Sequence, residues 1–244
     1  HRHNIWNEKL AKLNFYDAII IHSYAKVTKG EDRYGQMISE ENEGKNKREA
    51  FDTYKDRAID YLVNKYPKEV KVYEGIFHKP IWVTEWNLQI SKTTGNTLLQ
   101  SLFVAHYLLE LISNPDLSVI ELTTYHNLGG RDFSGSIFRN NKEEIEIHST
   151  YYPMVMIGKI FESNIDRIER KKFNDCFIYT CYDIKGIKKF IFSINWEGNI
   201  LEFQTLSELN KHIFDVVEYR SDDLFDKANT EGILESDISR IIVD

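Results

Sequence analysis

Three apolar runs in this chain end on residues that can hold charge, move protons or stack on a ligand. "YDAIIIHSY" closes on His22, Ser23 and Tyr24, "KPIWVTEWNLQ" carries Glu85, Trp86 and Asn87, and "LSVIELTTYHN" closes on Tyr125, His126 and Asn127. Each end alone has a plain structural reading: a paired acid, a satisfied histidine, a core indole. Together, one shared mouth explains all three, because groups at the carboxyl ends of parallel strands converge there. The chemistry that suits them is glycoside hydrolysis, in which one carboxylate attacks or stabilises an oxocarbenium-like centre and a second carboxyl group protonates the leaving oxygen. Histidine and tyrosine beside the carboxylate would orient it, and aromatic rings would stack on the sugar's apolar face. A metal site built from His22, Glu85 and His126 is the competing idea. It leaves Trp86 and Asn87 unexplained, so neither metal nor cofactor is expected.

The elements that must position these residues alternate. "IWNEKLAKLN" has helical spacing, "YDAIIIHSY" reads as a strand, and "NKREAFDTYKDRAIDYLVNKY" reads as a long amphipathic helix with Phe51, Tyr54, Ala58, Tyr61 and Leu62 on one face. "KPIWVTEW" is a second strand. "TGNTLLQSLFVAHYLLELISN", opened by the cap-type residues Thr94 and Asn96 and ended by "NPD", is a covered helix, and "LSVIELTTYHN" is a third strand. Continuous apolar strands joined by helices predict parallel β/α units with both faces covered. The polar segment "KGEDRYGQMISEENEGKNK" reads as a loop, and "GGRDFSGSIFRNNKEEIEI" as a hairpin followed by the helix "TYYPMVMIGKIFES". From about Asn164 the texture becomes short strands and turns: "DCFIYTCYD", "IKKFIFSINWE", "LEFQTLS", "HIFDVVEYRS" and "ISRIIVD". The expected division is therefore an α/β part over residues 1–163 and a β-sandwich over 164–244.

Composition narrows the partners. A net charge of -7 without a basic stripe argues against nucleic acid. No apolar run reaches the roughly 18 residues a membrane span needs, and "HRHNIWNEKLAK" lacks the apolar core of a signal peptide. Cys176 and Cys181 fit no metal-ligand spacing and would lie on opposite faces of one strand, so both read as packing residues.

"KPIWVTEWNL" resembles the seventh barrel strand of clan A retaining glycoside hydrolases, in particular the α-L-arabinofuranosidase group of family 51 and its relatives in family 39. "FYDAIIIHSY" resembles the sixth strand, and "IHSTYYPMVMIGKIFES" is similar to the last barrel helix, which precedes a β-sandwich with strands like "KKFIFSINW". The resemblance implies the last β/α units of a TIM (β/α)8 barrel followed by a C-terminal sandwich, acting on an oligosaccharide or polysaccharide. It implies Glu85 as nucleophile and His22, Tyr24, Trp86, Asn87, Tyr125 and His126 as substrate-binding residues. It also allows a homo-oligomer. One departure matters: the family's acid/base catalyst is the Glu of an Asn-Glu pair at the end of the fourth strand, and the three strands here match the last three of eight. The expectation is the C-terminal part of a larger enzyme, partnered by its N-terminal half. Two alternatives are a non-catalytic carbohydrate-binding or assembly protein derived from such an enzyme, and a self-contained α/β protein of another class.

Overall fold

A computed structural model describes residues 2–13, 15–28, 47–89, 94–130, 135–142, 144–197, 216–221, 223–234 and 239–241. The chain divides into two units, His1–Gln89 with His106–Leu128, and Ile90–Ala105 with Gly129–Asp244.

In the first unit, helix α1 (Arg2–Ala11) leads to strand β1 (Ile19–Ala25), and a long helical crossover leads to strand β2 (Ile81–Leu88). The crossover is α2 (Lys47–Asp60), a π-helical turn (Tyr61–Lys65) and α3 (Tyr66–Phe77). Sequence reasoning ends this helix at Tyr66, yet it runs on through Pro67 to Phe77. A helical proline's ring presses on the carbonyl four residues back, here Val63, which lies within the π-helical turn. Tyr54, Ala58, Leu62, Tyr66, Val70 and Phe77 are buried along the crossover. Its end is a left-handed cap at His78, with φ of 50° and its N–H on the Glu74 carbonyl at 2.9 Å.

The other elements of this unit are the second half of α4 (Leu98–Ser113), a 3-10 turn (Pro115–Leu117) and strand β3 (Ile120–Tyr125). Asn114 stops the helix as "NPD" predicts, its side chain accepting the Asp116 N–H at 3.0 Å. The strands form one parallel sheet in the order β1-β2-β3. The expectation that both sheet faces are covered fails. Ile20, Trp82 and Leu122 are cross-strand neighbours and are 61%, 38% and 41% exposed. The helices bury one face, marked by Ile81 and Val83, and leave an apolar row on the other.

The second unit begins with the first half of α4. The cap expected from Thr94 or Asn96 falls instead to Thr97, whose hydroxyl accepts the Gln100 N–H at 3.4 Å. Asn96 takes a left-handed conformation, φ 57°, and its side chain bonds the Ser149 N–H and the Ala228 carbonyl. Strands β4 (Gly129–Gly130), β5 (Phe138–Asn141) and β6 (Glu144–Ile147) form a sheet in which β5 and β6 are the predicted hairpin. Helix α5 (Tyr151–Gly158) is shorter than "TYYPMVMIGKIFES" suggests and unwinds into turns after Gly158.

An antiparallel meander follows: β7 (Ile165–Phe173), β8 (Cys176–Asp183) and β9 (Lys188–Asn195). Its central strand buries Cys176 through Cys181, and both cysteines are free thiols. Burial pushes the Cys181 thiol up to about 11, which keeps it protonated and inert. Strands β10 (Val216–Glu218) and β11 (Ser239–Ile241) pair antiparallel. The predicted strand "LEFQTLS", the side chain of Phe51 and nearly all of the loop "KGEDRYGQMISEENEGKNK" lie outside the described residues.

One glycine in this unit is required by its surroundings. Gly232 has φ of +77°, and an added Cβ would sit 2.7 Å from Ile147 Cγ2 and 3.1 Å from the His148 carbonyl oxygen. Gly232→Ala combines backbone strain with a steric clash, and a loss of about 1–3 kcal/mol in chemical denaturation is expected. An unchanged midpoint would show that this turn relaxes freely.

Candidate functional site

The site forms within the first unit at the carboxyl ends of its three strands. On β1, Ser23 and Ala25 face the buried side, while His22 is exposed and Tyr24 half-buried. Register pairs His22 with Glu85, Ser23 with Trp86 and Tyr24 with Asn87. The pairing puts Glu85 beside the two β1 side chains suited to hold it. The Tyr24 hydroxyl donates to Glu85 Oε2 at 2.7 Å, and His22 Nδ1 lies 3.4 Å from the same oxygen. The His126 and Tyr24 rings meet near-perpendicularly, at 73°, with centroids 6.0 Å apart.

These neighbours set the proton affinities. The Tyr24 hydrogen bond, with smaller contributions from His22 and His126, holds the Glu85 carboxyl below the ordinary glutamate range. Burial, and then the adjacent Glu85, raises the Tyr24 phenol above its ordinary value. Glu85 is thus an ionised, oriented carboxylate with one oxygen held and its side chain 37% exposed. It can attack an electrophilic carbon or balance a cation.

Trp86 and Asn87 lie differently. Trp86 is 1% exposed, stacked on Tyr107 at 4.3 Å and meeting Tyr125 edge-on at 5.0 Å. Its ring is packed beneath the mouth. Asn87, also buried, donates from Nδ2 to the His126 carbonyl at 2.5 Å, and the His126 N–H bonds the Trp86 carbonyl at 3.1 Å. The two tie the end of β3 to the end of β2. His22, Tyr24, Glu85 and His126 therefore surround the open side, while Trp86, Asn87 and Tyr125 brace it. The described residues contain no group of three or more His, Cys, Asp or Glu placed to hold a metal ion, so His22, Glu85 and His126 do not converge as ligands.

Sequence reasoning missed the support under Ser23. Its hydroxyl lies 2.6 Å from the Tyr61 hydroxyl, and Tyr61 stacks on Tyr66, which packs on Tyr107 below Trp86. The signal was a serine between two candidate site residues and a helix rich in tyrosine. The π-helical turn that presents Tyr61 has no sequence signature beyond the nearby Pro67.

No family model matches the sequence, and no curated protein matches it. The fold, however, is shared with solved arabinofuranosidases. A family 51 α-L-arabinofuranosidase from Bifidobacterium longum superposes with a TM-score of 0.59 at 9% identity, over 99% of this chain and 51% of that one. The α-L-arabinofuranosidase from Thermotoga maritima, in its arabinose complex, gives 0.54 at 14% identity over 98% and 51%. The glycoside hydrolase family 51 arabinofuranosidase from Xanthomonas axonopodis pv. citri gives 0.54 at 11% over 80% and 42%. The chain spans about half the length of these enzymes or less. Among the described residues, no helix is long and apolar enough to cross a membrane.

Proposed function

We propose that this chain carries the nucleophile half of a retaining, exo-acting glycosidase of the α-L-arabinofuranosidase or β-xylosidase type. The observation that carries the proposal is Glu85, with a tyrosine hydroxyl at 2.7 Å and a histidine nitrogen at 3.4 Å on one carboxylate oxygen, at a parallel strand end. The likeness of its fold to arabinofuranosidases supports the substrate class. In the first step a Glu85 oxygen attacks the anomeric carbon, the glycosidic C–O bond breaks, and the leaving oxygen takes a proton from a second carboxyl group. Water then attacks the same carbon, gives its proton to that second group and displaces Glu85. The second group, roughly 5 to 5.5 Å away in retaining enzymes, comes from a further segment that completes a (β/α)8 barrel. The exposed row of Ile20, Trp82 and Leu122 and the edges of β1 and β3, open among the described residues, fit such a complement. His22, Tyr24 and His126 hold the nucleophile and contact sugar hydroxyls, Trp86, Asn87 and Tyr125 shape the pocket floor, and the β-rich remainder forms a sandwich.

The test is to combine the chain with the segment bearing a strand-ending Asn-Glu and follow hydrolysis of an aryl α-L-arabinofuranoside and an aryl β-xyloside by proton NMR. Sugar first released with the substrate's anomeric configuration is the expected result. First release of the opposite anomer, or no hydrolysis of either substrate, would overturn the proposal.

Tyr24→Phe tests the electrostatics of the same site. Removing the donor from a charge-assisted hydrogen bond lowers kcat/KM by on the order of tenfold. It also raises the acid limb of the pH profile, since Glu85 then protonates closer to its ordinary value. An acid limb at the wild-type position would show that Tyr24 does not tune Glu85.

A further inference from the structure

The direction in which Glu85 points is not what strand alternation dictates. Along β2, Ile81 and Val83 are buried against the helices and Trp82 is on the open face. Unbroken alternation would place residue 85 with Ile81 and Val83, and Trp86 with Trp82. The reverse is found, because β2 carries one extra residue. On the β1 side Ile21 pairs with Val83 but His22 with Glu85, so Thr84 has no counterpart. On the β3 side Val83 pairs with Thr123 and Trp86 with Tyr125, so Thr84 and Glu85 together face Thr124. Both neighbours register the same bulge. One residue of slip exchanges the two faces for everything that follows, and bulges are known to re-aim side chains beside active sites.

The bulge is also tied down. The hydroxyl of Thr124, the one residue opposite the doubled pair, donates to the carbonyl of Thr84. We propose that Thr124 is a positioning residue, which locks the Thr84 bulge through this hydrogen bond and so keeps Glu85 aimed at the Tyr24 hydroxyl and His22. The geometry stands by itself; its catalytic meaning rests on Glu85 being the nucleophile. Thr124 acts on the backbone beside Glu85 and needs no contact with substrate.

The test is a carbon-13 NMR titration of the Glu85 carboxyl in the 244-residue chain, assigned with Glu85→Gln, for wild type, Thr124→Val, Thr124→Ser and a deletion of Thr84. The titratable groups facing Glu85 are His22 and Tyr24 on β1 and His126 after β3, and all are retained in every variant. Thr124→Val should raise the Glu85 midpoint toward the ordinary glutamate value as the Tyr24 bond loosens, and Thr124→Ser should restore the wild-type value. Deletion of Thr84 should carry the carboxyl to the helix-covered side and raise its midpoint above the ordinary range. Should the deletion fail to fold, Thr124→Val decides. A wild-type midpoint in folded Thr124→Val would overturn the inference. In the completed enzyme the same valine variant should lose about tenfold in kcat with KM within about twofold, because misplacement by a fraction of an ångström acts on the reacting geometry. Because the titration needs no turnover, it reads the bulge even where no glycosidase activity is found. Retained activity in Glu85→Gln, by contrast, would remove the nucleophile reading and leave the bulge intact.

Discussion

Glu85→Gln and Glu85→Ala, each placed in the completed enzyme, should lose at least about a thousandfold in kcat while the folded chain keeps its stability. On the proposed mechanism Glu85 forms the covalent bond to the anomeric carbon, so removing it ends the two-step route rather than slowing it slightly. Folding should be little affected, since the Glu85 side chain is over a third exposed and its partner His22 is exposed too. The two variants should then separate in the presence of azide. In Glu85→Ala the small anion can occupy the vacated volume, attack the anomeric carbon and expel the leaving group, giving a glycosyl azide of inverted configuration. Glu85→Gln fills that volume and should not be rescued. Activity within tenfold of wild type in either variant would remove Glu85 from the reaction.

The pH dependence follows with a fixed sign. Because the folded state lowers the Glu85 proton affinity, the ionised form is favoured on folding. The stabilisation is present above the ordinary glutamate pKa and is lost as pH falls through the depressed value. Activity of the intact enzyme should therefore persist to a lower pH than an ordinary glutamate would allow. This advantage belongs to the Tyr24 bond first, and Tyr24→Phe should shrink it from the acid side.

The strand ends were legible because each follows a segment rich in apolar and β-branched residues, as strands of a parallel sheet are. Thus His22, Glu85 and His126 could be placed near one another before any geometry was known. The direction of each side chain could not. Counting by twos along "IWVTEW" sends Glu85 to the helix side, and only the extra residue at Thr84 turns it outward. The same limit hid the role of Trp86, whose neighbour relations with Tyr107 and Tyr125 depend on that slip. Strand β7, "IDRIERKKF", was missed for another reason. At the edge of its sheet among the described residues, it carries Arg167, Arg170, Lys171 and Lys172, the charges that discourage edge-to-edge pairing, and these mask the apolar pattern. The covered second face was inferred from the same apolar runs that mark buried strands. Apolarity at Ile20, Trp82 and Leu122 records a need for burial, and within this chain the need is left exposed.

Trp86→Ala should be among the most destabilising single changes in the first unit, costing about 3–5 kcal/mol. The indole is 1% exposed and held on two sides, by Tyr107 at 4.3 Å with planes 12° apart and by Tyr125 at 5.0 Å edge-on. Truncation leaves a large cavity lined by rings that cannot collapse, because Tyr107 is itself packed on Tyr66. A fall of roughly 10 °C or more in Tm is expected for a unit of this size. Trp86→Phe retains a ring to stack and should lose clearly less. The pair of variants also separates packing from sugar contact. An indole that stacks on substrate would, on replacement by Phe, raise KM with little change in stability. An indole that braces the floor would instead lower stability and kcat together, because its neighbour in the chain is Glu85 and its carbonyl receives the His126 N–H at 3.1 Å. The geometry favours the second outcome. A Trp86→Ala protein that melts within about 2 °C of wild type would show that the aromatic layer under the mouth does not support it.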